Sequence, residues 1–166
     1  FLGKILELEA VVFPSREKGM GKIYFNNTAG SMAKDSVTNA AAVVRRLTGK
    51  DIHDYDIHVN SIGGGNIDGP SAGVAILLVI LSALENRSLR QDVAVTGEIS
   101  IRGKIMPVGG LQQKIYAALQ AGMKKVLVPK ENYPSGDFRG IEIVPVETIE
   151  EAIQLAFDDG RFMNDR

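Results

Sequence analysis

The stretch Asp68-Gly69-Pro70-Ser71-Ala72-Gly73 is a turn of small residues that runs directly into an apolar segment from Val74 to Leu84. A serine at the beginning of a buried helix is exposed together with unpaired backbone N–H groups. Those N–H groups, and the positive end of the helix dipole, suit a developing oxyanion. The same hexapeptide also fits a tight turn whose serine caps the helix, so these residues alone leave both interpretations open.

The composition around this stretch is typical of one soluble globular domain. The 166 residues are 45% hydrophobic and 23% charged, with a formal net charge of −1, which gives no electrostatic case for nucleic acid or an anionic membrane as a partner. Because the chain lacks cysteine, disulfides and thiolate metal sites are excluded, and a reducing cytoplasm is expected. The apolar run 72–84 is too short to span a bilayer. The first residue is Phe1 rather than Met, which favours an excised fragment.

Hydrophobic periodicity predicts strands and helices that alternate along the chain without repeats. This order predicts a single compact α+β domain with α/β-like alternation, in which the helix after Ser71 is central and most buried. Residues 15–21 are expected to form a hairpin-like connection, and residues 61–67 a flexible loop. The predicted strands cover residues 4–13, 22–26, 55–60, 93–101, 104–106, 125–128 and 141–145, and the other predicted helices cover residues 31–47, 111–121 and 148–157.

Histidine chemistry has weak support in this sequence. Both histidines, His53 and His58, precede Ser71, one in a polar turn and the other in the middle of a strand. A Ser-His-Asp triad remains possible, because triads are recognised by geometry and not by chain order. Neither histidine has further ligands at a suitable spacing, so no metal site is expected.

Lys114 is the alternative base for a serine nucleophile. It lies at the start of a predicted helix after Gly109 and Gly110, where the positive end of the helix dipole disfavours an ammonium. Its neighbours are apolar or uncharged, and a lysine made neutral by desolvation can deprotonate a serine. A lysine on a solvated helix face has the same spacing, so the pattern alone leaves the role of Lys114 open.

Several motifs in one order resemble the proteolytic domain of Lon proteases, with most likeness to the bacterial B-type or a related variant. The resemblance is continuous from about residue 55 to residue 132 and looser from residue 31 to the C-terminus. Ser71 and Lys114 are 43 residues apart, the spacing of the Ser–Lys dyad in that family. The motifs are Asp68 to Gly73, Thr96-Gly97-Glu98-Ile99, Gly103 to Lys114, Ala121-Gly122 and Val128 to Asn132.

This resemblance implies a serine endopeptidase. Ser71 would be the nucleophile that forms an acyl-enzyme, and Lys114 would be the general base. Thr96 corresponds to the threonine whose hydroxyl orients the lysine amine. Glu98, two residues further on, would be either a second polar neighbour or a partner in an ordinary strand-end contact.

The backbone around Asp68 to Ser71 would supply the oxyanion donors, with Gly69 and Pro70 as supporting residues. Asp68 has three open roles: to approach Lys114 in an inactive arrangement, to cap the following helix, or to shape the loop. The glycines at 63–65 depart from the charged or proline-containing loop of many family members, which indicates a more mobile loop.

The resemblance also implies a larger machine. Residues 1–166 would be the proteolytic domain of a homo-hexamer in the cytoplasm, with an ATPase module upstream that uses ATP and Mg and delivers unfolded polypeptides. The fragment itself has no Walker A motif and is expected to bind no cofactor. The alternative is a non-proteolytic Lon-like module in an ATPase for assembly or nucleic-acid handling, which Ser71, Lys114 and Thr96 together disfavour. A generic acyl hydrolase would need a histidine after Ser71.

Overall fold

The described structure is a computed structural model that covers residues 5–26, 31–62, 70–134, 136 and 138–159. Its mixture of helices and strands confirms the α+β class. Three short 3-10 turns accompany the regular elements, at Ile52–Asp54, Pro70–Ala72 and Lys130–Asn132. The strands are β1 (Glu7–Pro14), β2 (Ile23–Phe25), β3 (Tyr55–Ile62), β4 (Val93–Val95), β5 (Glu98–Ile99), β6 (Ile105–Met106), β7 (Lys125–Pro129) and β8 (Glu142–Val146), and the helices are α1 (Ser31–Thr48), α2 (Gly73–Glu85), α3 (Leu111–Gln120) and α4 (Ile149–Ala156).

Helix α2 is the centre of the main hydrophobic core, as its sequence predicts. Apolar residues surround nearly the whole circumference, so the helix can be stable only when other elements cover every side. It ends at Asn86, which adopts the left-handed conformation (φ 51°) that commonly closes helices. Five of its side chains have no exposed surface: Val74, Ile76, Leu77, Ile80 and Leu81.

The first sheet corrects one prediction about the N-terminal segment. β3 lies in the middle of the sheet, antiparallel to β1 and parallel to β2, so β1 and β2 do not form a hairpin. The reason is that α1 connects β2 to β3 as a parallel crossover, which lets β3 pair on both of its edges. The connection at 15–21 instead bonds the turn before β3, through Ser15 N–H to Asp54 O (2.9 Å) and Gly21 N–H to His53 O (2.7 Å).

The second sheet, called here the parallel sheet, has the order β4-β7-β8 with all strands parallel. Its central strand β7 is buried on both faces. Leu127 belongs to the main core around α2, whereas Val126 and Val128 pack with Leu111 and Ile115 of α3 in a second, smaller core. This alternation places α2 and α3 on opposite faces of the parallel sheet.

The predicted strand 93–101 is divided into two strands that belong to different sheets. β4 pairs with β7, whereas β5 pairs with β6 in a hairpin that turns at Gly103 (φ 86°). The chain leaves the parallel sheet at Thr96 and Gly97, whose contacts are described below. The predicted turn after β5 is confirmed, and Gly97 within the predicted strand is the sequence signal that marks the break.

The remaining helix boundaries agree with their sequence signals. Gly49 (φ 74°) and Gly122 (φ 80°) follow α1 and α3 in the left-handed conformation predicted for helix-ending glycines. Thr148 caps α4 by accepting a hydrogen bond from Glu151 N–H at 3.3 Å. Among the described residues, no helix combines the length and the apolar character that crossing a membrane requires.

Helix α2 offers a direct test of the core. Ile80 is 0% exposed, whereas Ile101 is 62% exposed, so the same substitution samples a buried and a surface position. We expect Ile80→Ala to lower the free energy of unfolding by about 2–5 kcal/mol, since it removes buried methyl groups and leaves a cavity. The control Ile101→Ala should change it by less than about 0.5 kcal/mol. Urea unfolding measures both, and equal effects would contradict the central position of α2.

Candidate active site

Ser71 lies in the 3-10 turn that immediately precedes α2, and its side chain is partly buried. The backbone there is fixed by one glycine, because Gly97 N–H donates to Ser71 O at 3.1 Å and Gly97 O accepts from Val74 N–H at 3.1 Å. The N-cap position of α2 is occupied by Ala72 without a side-chain cap. Ser71 is therefore not the capping residue of α2, and its hydroxyl forms no hydrogen bond in the described part of the chain.

Gly97 can make these two bonds because it lacks a side chain. A Cβ atom at this position would lie 2.7 Å from Ile105 Cγ2 and 3.0 Å from Val74 Cγ2, closer than real Cβ contacts allow. Gly73 has a similar constraint, with Ile99 N at 3.1 Å from its would-be Cβ. The turn that carries Ser71 thus packs directly on the backbone where β4 passes into β5.

Thr96 lies at the carboxyl end of β4, one residue before that contact. Its backbone N–H donates to Leu127 O at 3.1 Å, and the residue is only 7% exposed. No hydrogen bond among the described residues uses its hydroxyl. The hydroxyl is thus free to accept a hydrogen bond from an amine or a substrate group that reaches this position.

Lys114 is the fourth residue of α3 and is partly buried. Gly110, in the left-handed conformation (φ 63°), occupies the N-cap position of this helix without a side-chain cap. Burial lowers the pKa of the Lys114 amine below its ordinary value of 10.5. No ion pair within the described ranges includes Lys114, so nothing there offsets this preference for the neutral form. The lowered pKa agrees with the sequence prediction, with burial as its cause.

One hydrogen bond locates the start of α3 relative to the parallel sheet. Asn132 follows the carboxyl end of β7, and its Nδ2 donates to Val108 O, two residues before the N-cap of α3, at 2.6 Å. Because β4 and β7 are parallel, their carboxyl ends lie at the same edge, called here the carboxyl edge. Thr96 and the first turn of α3 therefore both lie at this edge. The bonds of Gly97 attach the Ser71 turn to it as well.

The histidines are engaged elsewhere. His58 on β3 stacks on Tyr24 with ring centroids 4.7 Å apart and meets Phe13 edge-on at 6.1 Å. His53 contacts Asp51 in an exposed turn, with Nδ1 and Oδ1 3.0 Å apart. These contacts give no support to a histidine triad. Within the described residues, no cluster of three or more acidic or histidine side chains is arranged to hold a metal ion.

The other predicted site residues have different outcomes. The backbone of Pro70 begins the 3-10 turn of Ser71. Asp68 and Gly69 lie outside the described residues, and so does the predicted loop except for residues 61 and 62. Glu98 is on β5, opposite Met106 in the hairpin. Asn132 is a residue that the sequence reasoning did not assign to the site.

Comparison with known proteins decides the family. The family model of the Lon protease (S16) C-terminal proteolytic domain matches residues 1–159 of the sequence. The chain belongs to this family. It is a serine-type peptidase domain, so the predicted resemblance to Lon is confirmed.

Individual Lon proteases agree over nearly the whole chain. The archaeal Lon protease of Thermococcus kodakarensis is 44% identical over 95% of this chain and 26% of its own length. Lon protease 2 of Bacillus subtilis is 41% identical over 91% of this chain and 30% of its own length. The chain therefore spans about a quarter to a third of these relatives. Both archaeal and bacterial proteins match, and the bacterial B-type affinity stays a prediction.

The close approach at Gly97 can be tested by adding one methyl group. Gly97→Ala should destabilise the domain by about 1–3 kcal/mol, because Ile105 and Val74 leave no room for a Cβ. Its peptidase activity should fall even at temperatures where the variant is folded, since the Ser71 turn is displaced. Gly109→Ala is the matched control for stability, because a Cβ there meets nothing within 4 Å. Thermal unfolding that treats the two variants alike would contradict this packing.

Proposed function

We propose that this Lon domain hydrolyses peptide bonds with Ser71 as nucleophile and Lys114 as general base. The observation that carries the proposal is a lysine that has no ion pair with the described residues and is made less basic by burial, on a helix that begins at the edge to which the Ser71 turn is attached. A base that is neutral near the working pH is what a serine hydroxyl requires when no histidine is available.

In this mechanism the neutral Lys114 amine removes the proton from Ser71 Oγ as that oxygen attacks the peptide carbonyl. Backbone N–H groups of the turn around Ser71 stabilise the oxyanion of the tetrahedral intermediate. The Lys114 ammonium then returns the proton to the leaving amine, which leaves an acyl group on Ser71. Water, deprotonated by Lys114, attacks the ester and releases the second product. The Thr96 hydroxyl accepts a hydrogen bond from the amine and keeps it directed at Ser71.

We further propose that the parent protein is a cytoplasmic homo-hexamer that degrades unfolded polypeptides with energy from ATP and Mg. The support is that the matched relatives carry the name Lon protease and are three to four times as long as this chain. An ATPase module would lie in the additional length, and this domain would contribute the peptidase step.

Removal of either member of the dyad should abolish cleavage of an unfolded protein such as casein. We expect Ser71→Ala and Lys114→Ala each to lower kcat by at least about 1,000-fold, while thermal unfolding stays close to that of the parent. The controls are Ser88→Ala and Lys124→Ala, at exposed positions away from the carboxyl edge. Either dyad variant that still cleaves casein at the parental rate would refute the proposed dyad.

The pH dependence follows from the lowered pKa of Lys114. Only the neutral amine can accept the serine proton, so kcat should rise with pH and level off through one titration below 10.5. Lys114→Arg should be inactive throughout, because a guanidinium stays charged at every accessible pH. Casein cleavage measured from pH 5 to 10 tests both statements, and a flat profile for the parent would contradict the role of Lys114.

A further inference from the structure

Asn132 connects two loops that meet at the carboxyl edge. It is the last residue of the 3-10 turn after β7, and its Nδ2 donates a 2.6 Å hydrogen bond to the Val108 carbonyl. Its other polar side-chain atom, Oδ1, is buried and has no hydrogen-bond partner among the residues that the structure describes. Burying an amide oxygen without a hydrogen bond costs free energy of folding. The hydrogen bond to the Val108 carbonyl is the favourable interaction of this side chain that offsets the cost.

The Val108 carbonyl belongs to a glycine-containing loop whose Val108 side chain also packs against the second core. Residues 107–110, called here the 107–110 loop, join β6 to α3 and end in two glycines. A Cβ at Gly109 would meet no atom within 4 Å, and Gly110 has the left-handed conformation that glycine adopts at little cost. The first turn of α3 starts directly from Gly110, since Lys114 N–H donates to Gly110 O at 3.1 Å. Movement of the loop would therefore move Lys114.

We propose that Asn132 is a positioning residue for Lys114, because its bond to Val108 fixes the 107–110 loop and thereby keeps the lysine amine shielded from water at the carboxyl edge. This inference rests on the proposed role of Lys114 as the general base. Asn132 acts through the loop backbone and does not need to touch the substrate.

The charged groups near this region point to water access, and not a counter-ion, as the quantity that Asn132 controls. Lys130 and Glu131, on the same 3-10 turn, pair with Glu147 at 3.5 Å and with Lys104 at 2.6 Å. The ion pair of Lys125 with Glu142, at 3.7 Å, lies at the opposite, amino end of the parallel strands. α3 itself carries no charged residue besides Lys114, so burial is the influence that sets its protonation.

Asn132→Asp is the variant with the largest expected effect, because it keeps the size of the side chain and replaces the N–H donor with an acceptor, and the uncharged Asn132→Ser controls for the charge that it adds. The Val108 carbonyl then faces a carboxylate oxygen, the loop separates from the 3-10 turn, and water reaches Lys114. In the full-length protein, we expect kcat for casein at pH 8 to fall about tenfold. The inflection of the pH profile should move up by about one pH unit. KM should change little.

Two further measurements separate this inference from a purely structural role and from the dyad itself. Acetic anhydride labelling of Lys114, followed by mass spectrometry across pH, reports the amine titration directly and needs no activity. The midpoint should rise in Asn132→Asp and in the milder Asn132→Ser, while thermal unfolding shows which variants are folded. Glu131→Gln, which breaks the neighbouring exposed ion pair, is the matched control and should leave the midpoint unchanged.

The outcomes are distinct. A folded Asn132→Asp with the parental labelling midpoint and pH profile would overturn the positioning role. If Lys114→Ala still cleaves casein, the dyad fails, yet a raised labelling midpoint in the uncharged Asn132→Ser would still support the control of Lys114 by Asn132. An unchanged labelling midpoint in a folded Asn132→Ser would likewise count against the inference.

Discussion

The close packing of the Ser71 turn on Gly97 is the constraint on which the rest of the site depends. Two backbone hydrogen bonds of 3.1 Å hold Gly97 to Ser71 and to Val74, on the two sides of the point where α2 begins. Because Val74, Ile76 and Leu77 at the start of α2 are fully buried, its first turn has little freedom to move away from this contact. The most apolar helix of the fold therefore fixes the position of the Ser71 turn. Strand β4, which leads to Thr96, must end where the contact between Gly97 and this turn begins.

The fold was predictable where a local signal decides the structure. The apolar residues of α2 and the glycines after α1 and α3 each act within one or two turns of chain, and the structure has them as expected. The incorrect predictions concern which strands pair with one another. Residues 93–101 read as one strand because nothing local shows that Val95 pairs with β7 whereas Ile99 pairs with β6. The prediction of a hairpin at 15–21 was wrong for the same reason, because no local signal shows that β1 and β2 both pair with β3.

The residues of the site could be predicted where they belong to sequence motifs of the Lon family. Ser71, Lys114 and Thr96 are named by the resemblance to Lon, whereas their residue types alone left a helix cap for the serine and a solvated helix face for the lysine as open explanations. Asn132 was part of a quoted motif, but its role depends on a contact with Val108, 24 residues earlier in the chain. A polar residue directly after a buried strand was the available signal. No spacing rule reveals which carbonyl such a residue will meet.

The pairing of β1 with β3 has a consequence for how the chain is made. Glu7 at the start of β1 pairs with Ile62 at the end of β3, so more than fifty residues of chain separate these two partners. During synthesis β1 emerges first, and its backbone groups have no sheet partner until β3 has followed. Its outward residues include Val11 and Phe13, which stay exposed even in the finished domain. The nascent chain therefore presents an unpaired, partly apolar strand for several seconds at ordinary elongation rates, the interval in which chaperones protect such segments.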